Sequence, residues 1–298
     1  MTDAESRDLA PQAQVADLLA LLDVEEIDTD LYRGRRQPGG RGRVFGGEVI
    51  AQALRSAMRS VEGDRAAHSL HAYFMRPGDE TLPTVYRVER DFEGRSFSTL
   101  RVIALQRGQP ILNLAASFHR PEPGLSHQAP MPEAPDPETL ASQAELLDQV
   151  AGDDPHIRAQ AAFMRRRPLD VRPVRPETLL RPEPTEARTL NWFRVTAPVG
   201  DDADVHRAIL AYASDMALLG TSMLPHGVSW STPGMQTASL DHALWLHEAP
   251  RVDDWLLYAT ESPWAGHGRG YSRGQIFTRD GRLVASVAQE GLIRRREG

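Results

Sequence analysis

Gly94-Arg95-Ser96-Phe97-Ser98 opens the apolar run FSTLRVIALQ, turns at Arg107-Gly108 and returns through 111–118. Gly268-Arg269-Gly270-Tyr271-Ser272 opens RGQIFT, turns at Asp280-Gly281 and returns through 283–289. The leading glycines stand 174 residues apart and the turn glycines 173, a drift of one residue over the hairpin. Asp-Gly between alternating apolar runs is a strong hairpin signal. Two hairpins opened by the same pattern at one spacing read as a tandem duplication.

Working outward, each hairpin is preceded by another strand-like run, 84–89 in the first copy and 255–261 in the second. Earlier still comes a helix-like run: GEVIAQALRSAMRSV at 47–61 and HRAILAYASDMALL at 206–219. Both are apolar around much of their circumference, the pattern of a helix wrapped by a sheet rather than lying on a surface. Each half is thus one central helix followed by an antiparallel sheet, an α+β architecture repeated. Of the 22 prolines, 12 fall between Pro121 and Pro184, a density that breaks helices and ladders and predicts a connector. Within it, 138–150 has the pattern of one short amphipathic helix. The expected division is 1–120, a proline-rich linker 121–187, and 188–298.

Composition narrows the chemistry. The 298 residues carry a net charge of -7, all 34 basic residues are arginine, and there is no cysteine. Without lysine there is no Walker A loop, Schiff base or pyridoxal chemistry. Without cysteine there are no disulfides, thiolate metal sites or thiol nucleophiles. The acidic balance argues against a general nucleic-acid binder. Residues 1–14 are polar and acidic and lack a secretory signal's basic and apolar regions, which points to the cytoplasm. The apolar stretch 208–225 holds a single charge, Asp215, together with glycine, serine and threonine, and reads as a buried helix rather than a membrane span.

That aspartate is the most anomalous residue in the chain. Predicted mid-helix among Ile209, Leu210, Met216 and Leu219, it must be hydrogen-bonded, paired or protonated. Ser239 lies just before Asp241-His242, outside any G-x-S-x-G elbow. His242 and His247, five apart on one strand, should face opposite sides, and read as packing or surface residues with no third metal ligand. Gln289 is expected at the end of the last long strand, where its amide could fix a water or a carbonyl. The loop holding Arg33, Arg35, Arg36, Arg41 and Arg43 is either a solvated surface or a site for a phosphate-bearing ligand. Gly266-His267-Gly268-Arg269-Gly270 precedes a strand and so is no nucleotide fingerprint. His68 and His71 flank a strand and read as structural.

At these residues the sequence resembles the TesB family of acyl-CoA thioesterases II. The matching segments are VADLLALLDVEEIDTDLYRGR, RVFGGEVIAQAL, HSLHAYFMRPGD, FEGRSF and GQPI, then HRAILAYASD, PHG, ASLDHALWLH, WLLY, ESP, RG and GRLVASVAQEG. They stand in order from about residue 15 to 296, the proline-rich segment excepted. The resemblance implies a double hotdog: two tandem units, each a central helix wrapped by an antiparallel sheet, an N-terminal one over 1–120 and a catalytic one over 188–298. It implies hydrolysis of acyl-CoA to free fatty acid and CoA by a water held among a carboxylate, a hydroxyl and a glutamine. Those roles fall on Asp215, Ser239 and Gln289. No covalent nucleophile, cofactor or metal is implied; the partner is the acyl-CoA substrate, and a homo-oligomer is left open. A non-catalytic acyl-CoA-binding hotdog would lack this trio. A hotdog hydratase or dehydratase would need a histidine opposite the acid, and none is expected in the matching motifs of the second half.

Overall fold

The computed structural model describes residues 10–36, 42–180, 183–230 and 232–296; the N-terminal stretch up to Leu9 and Arg41 therefore lie outside it. The first half runs α1 (Pro11–Leu22), β1 (Val24–Asp28), β2 (Leu31–Gly34), α2 (Gly46–Ser60), β3 (Ala66–Phe74), β4 (Thr84–Glu93), β5 (Phe97–Gln106) and β6 (Gln109–His119). The chain continues through α3 (Gln143–Ala151), α4 (Pro155–Arg165), β7 (Leu169–Pro173) and α5 (Glu177–Leu180). The second half follows with β8 (Arg188–Val195), α6 (Ala203–Ser214), α7 (Leu218–Met223), β9 (Met235–Ser239), β10 (Asp241–Leu246), β11 (Leu256–Gly266), β12 (Arg269–Thr278) and β13 (Leu283–Arg295).

The strands form one antiparallel sheet in the order β1-β2-β4-β5-β6-β3-β10-β13-β12-β11-β8-β7, with β9 on the far stretch of β13. Read from the β3–β10 seam outward, the two sides repeat each other. β3 leads to β6, β5, β4, β2 and β1; β10 leads to β13, β12, β11, β8 and β7. At the seam His71 faces Ala243 and Leu70 faces Leu244, so the halves share main-chain hydrogen bonds. This is the double hotdog, with α2 and α6 packed on each other inside it.

The all-round apolar pattern of the two helices explains their place. In α2, 12 of 15 residues are buried, and its polar members bond inward. Gln52 Nε2 donates to Leu21 O at 2.6 Å, Tyr86 Oη donates to Gln52 Oε1 at 2.7 Å, and Ser60 Oγ lies 3.0 Å from Tyr32 Oη. In α6, Ile209 and Leu210 are wholly inaccessible, each worth about 1.5–3 kcal/mol of burial. Asp202 caps its start by accepting from Asp204 N at 2.9 Å. The stretch 203–226 is long and apolar enough to cross a membrane by composition, yet 67% of its most apolar window is buried within this fold.

Two expectations need correction. Asp215 is not mid-helix: α6 stops at Ser214, three residues turn, and α7 resumes at Leu218. A continuous helix would have placed a carboxylate among apolar side chains, whereas a helix end gives it polar company. The segment 121–187 is more than a connector. The prolines do break it into short pieces, with helix only at Gln143–Ala151 of the run predicted helical. However, β7 pairs with β8 in the place that β1 takes beside β2. Met131, Ala134 and Leu140 also pack on Trp192, Trp255, Leu257 and Phe277, while Trp192 Nε1 donates to Pro135 O at 2.9 Å.

Candidate active site

Asp215 caps the C-terminal end of α6, and its side chain is only 4% exposed. Its Oδ1 accepts from Gln289 Nε2 at 2.6 Å and from Ser239 Oγ at 3.4 Å. The Gly47 N–H, in the first turn of α2, donates to the same carboxylate. A Cβ on Gly46 would stand 2.6 Å from Asp215 Oδ2 and 2.9 Å from the Phe74 ring, so the approach of this helix end requires glycine. The structure thus brings together all three residues singled out by the resemblance, and sets them against the N-terminus of a helix from the other half. A helix N-terminus favours negative charge. Burial nonetheless dominates and lifts Asp215 to about 6, while the bonds from Gln289, Gly47 and Ser239 pull the other way.

Gln289 is central in β13 rather than at its end, since the strand continues to Arg295. Val287, Gln289 and Gly291 alternate inward, and Ser272 lies opposite Gln289 across β12. A Cβ on Gly291 would meet Leu219 Cδ1 at 2.3 Å, so the bare strand lets α7 lie close over it. Ser239 comes from the last position of β9. Against β13 the register slips: Ser239 faces Gly291 and Ala243 faces Ala288, four residues on one strand against three on the other. Such a slip is a bulge, held by Leu240 N on Glu290 O and Glu290 N on Asp241 Oδ1.

The bulge brings His242, a buried packing residue on the face opposite His247, to the acid. Plain alternation would turn Ser239 and His242 to opposite faces; with the extra residue both point at Asp215. His242 is a core residue, 1% exposed, with Nδ1 3.9 Å from Asp215 Oδ1 and Nε2 2.9 Å from Ser214 Oγ. Burial drives its pKa down to about 3, so it is neutral at ordinary pH. His247 does face the other way, with Nε2 2.9 Å from Ser286 Oγ. His242, Ser214 and Gly47 are the participants that the sequence reading missed. The signals available were the paired glycines opening a helix and a histidine next to the aspartate of L-D-H.

Other candidates lie elsewhere. His68 Nε2 is 2.9 Å from Ser117 Oγ on the outer face of the first half, and the His71 ring packs edge-on against Trp245 at 5.1 Å. Arg33 pairs with Glu25 at 2.7 Å and Arg36 donates to Thr81 O at 2.7 Å. Gly266 to Gly270 turn a hairpin between β11 and β12. Among the described residues, no group of three or more His, Asp or Glu side chains could hold a metal ion.

The arrangement offers a buried base, two groups to orient a water beside it, and a helix N-terminus facing the carboxylate. Such a set suits water attack on a carbonyl. Comparison with known proteins agrees in kind. The family model described as acyl-CoA thioesterase matches residues 159–292, and the acyl-CoA thioesterase N-terminal domain matches residues 34–119. The chain is 40% identical to acyl-coenzyme A thioesterase 8 of Homo sapiens, over 92% of this chain and 88% of that protein. It is 39% identical to acyl-CoA thioesterase 2 of Haemophilus influenzae, over 93% of this chain and 96% of that one. The crystal structure of an acyl-CoA thioesterase II from Mycobacterium marinum is 41% identical and superposes with a TM-score of 0.77, covering 94% of this chain and 98% of that one.

Proposed function

The chain belongs to the acyl-CoA thioesterase family, and from that premise we infer that it hydrolyses acyl-CoA thioesters to a carboxylic acid and CoA through a water activated by Asp215. The observation that carries this reading is the buried carboxylate held by Gln289 Nε2 at 2.6 Å and Ser239 Oγ at 3.4 Å. Asp215 takes a proton from water as its oxygen bonds to the thioester carbon. Collapse of the tetrahedral intermediate then expels the CoA thiolate, which takes that proton. A base with a pKa near 6 is strong enough to assist and still ionised at neutral pH. Ser239 and Gln289 fix the water's position. The second half carries the reacting groups, and the first half supplies the α2 N-terminus that closes the site. Fatty acid metabolism in the cytoplasm is the setting this reading favours.

His242 near the acid gives a hydratase one of the groups it needs, contrary to the expectation of no histidine there. Its low basicity and its Nε2 contact to Ser214 favour hydrolysis. A thiol-reagent assay of CoA release across acyl chain lengths, run beside an absorbance assay of enoyl-CoA hydration, tests both. CoA release that falls as pH drops through about 6 is expected; hydration without CoA release would replace the thioesterase reading.

A further inference from the structure

Three buried polar atoms around the acid lack partners: His242 Nδ1, Gln289 Oε1 and Ser272 Oγ. Unpaired buried polar atoms are rare enough to call for a reason. For His242 the hydrogen count supplies one. Ser214 Oγ lies 2.9 Å from both Ala211 O and His242 Nε2, and has a single hydrogen to give. Ala211 is in the last turn of α6, whose following amide at Asp215 turns instead to Ala213 O. A carbonyl can only accept, so the serine hydrogen goes to Ala211 O, and His242 must donate Nε2–H to Ser214 Oγ. Tyr258 Oη fixes the same turn by donating to Ser214 O at 2.8 Å. The tautomer is thereby set, and Nδ1 presents a bare lone pair to Asp215 Oδ1 at 3.9 Å.

Two lone pairs facing across that gap have no attraction until one side gains a hydrogen. We propose that His242 is a positioning residue that receives, at Nδ1, the hydrogen bond from Asp215 once that carboxylate has taken the water's proton, with Ser214 setting its tautomer. This deepens the thioesterase reading and rests on it. The water O–H bond breaks, its oxygen bonds to the acyl carbon, and the proton sits on Asp215 Oδ1 directed at Nδ1. When the C–S bond breaks, the sulfur takes the proton and Asp215 returns to a carboxylate, so the imidazole stays neutral throughout. The gap is about an ångström longer than a hydrogen bond, a slack that catalytic contacts commonly show before substrate binds. Burial keeps the ring from competing for the proton. The other groups facing Asp215 are Gln289 from β13, Ser239 from β9 and the Gly47 N–H from α2. Tyr212 and Tyr258 feel its charge from α6 and β11, and Glu48 of α2 acts on Tyr212.

Nitrogen NMR of the full-length protein labelled at histidine, with signals assigned by single-site substitution, tests the tautomer. The expected result is His242 as the Nε2–H form between about pH 5 and 8; an Nδ1–H or doubly protonated ring would overturn the proposal. Kinetics test the role. His242→Gln reaches Ser214 but leaves no acceptor at Nδ1, whereas His242→Asn keeps an oxygen there. The Gln variant should lose about 2- to 12-fold in kcat, the range spanned by a hydrogen bond between neutral groups. Its acidic limb should move to lower pH, because protonated Asp215 loses its acceptor. His242→Asn should restore part of kcat and bring the limb back towards wild type. Equal losses in both variants with an unmoved limb, or an unchanged kcat in His242→Gln, would overturn it. Asp215→Asn in the same assay separates the two levels: full turnover there removes the thioesterase reading itself, while loss there with an indifferent His242→Gln removes only this inference.

Discussion

The two halves of the sheet follow the same strand order outward from the β3–β10 seam but fill equivalent interiors differently. In β13 the inward positions are Val287, Gln289 and Gly291; in β6 they are Leu114, Ala116 and Phe118. Gln289 faces Ser272 of β12, and the matching Ser98 of β5 faces Phe118, so an apolar ring fills the glutamine's place; Ser117, beside it, points outward and bonds His68. The first half buries two bonded pairs of neutral groups, Gln52 with Tyr86 and Tyr32 with Ser60, and the acid Glu48. The second half holds an acid, a histidine and a glutamine with unpartnered atoms among them. Duplication therefore preserved the scaffold, while the second half gathers an acid, a histidine, a hydroxyl and an amide within reach of one another. The halves are not independent, since Gly46 and Gly47 of the first close the site of the second.

The severest way to break this comparison is to remove one half. A fragment of 188–298 loses β3 beside β10, α2 beside α6 and β7 beside β8. It should be aggregated and release no CoA from acyl-CoA, judged by size-exclusion chromatography and the thiol-reagent assay. An active soluble fragment would show that the first half is dispensable.

Next comes a paired substitution. Asp215→Asn should lower kcat by about 10²- to 10⁴-fold, the usual worth of a general base, with the far-UV CD unchanged. Ser117→Ala, on the outer face of the first half, should leave kcat and KM as they are. Equal effects of the two would erase the asymmetry between halves.

Gly46→Ala tests whether the first half shapes the second half's chemistry. The added methyl meets Asp215 Oδ2 at 2.6 Å, so the carboxylate or the helix must move. A displacement of about an ångström can cost on the order of 10²-fold in rate. We expect kcat to fall by about 10- to 100-fold in a folded protein; an unaltered kcat would make the α2 contact incidental. Ser239→Ala should cost less, about tenfold, for a contact as long as 3.4 Å. Rapid-quench mass spectrometry should find no acyl adduct on Ser239, because its acceptor is a carboxylate rather than a histidine. A stoichiometric burst mapped to Ser239 would replace direct water attack with acyl transfer.

Much of this was legible in the sequence, for identifiable reasons. The hairpins announced themselves by their turn glycines, after Arg107 and Asp280, and by alternation, and the central helices by apolar residues all round. Asp215 stood out as a lone charge in such a run, and motif order supplied Ser239 and Gln289. What escaped depends on long-range register. The bulge between β9 and β10 exists only because both strands pair with β13, so no local period shows that Ser239 and His242 face one way. The end of α6 at Ser214 carries no proline, and its one warning, a polar Ser-Asp pair, is compatible with a continuing helix. Strand β7 was hidden by the prolines around it.

The smallest expected effect concerns stability, and it isolates what the buried acid of the second half costs the fold. Folding raises Asp215 from 3.8 to about 6, so the native state holds that proton more tightly than the unfolded chain. The resulting stabilisation is complete below the unfolded value and is lost as pH rises through 6; above that the ionised carboxylate costs about 3 kcal/mol at most. Glu48, lifted to about 7 by burial and by Glu80, shifts in the same direction. Wild type alone would therefore mix the two, and the difference between variant and wild type isolates Asp215. Asp215→Asn keeps an acceptor for Gln289 and removes the ionisation. It should raise Tm by several degrees at pH 8, with the gain shrinking towards zero near pH 4. A Tm difference that stays constant across that range would mean that the buried charge of Asp215 costs the fold nothing.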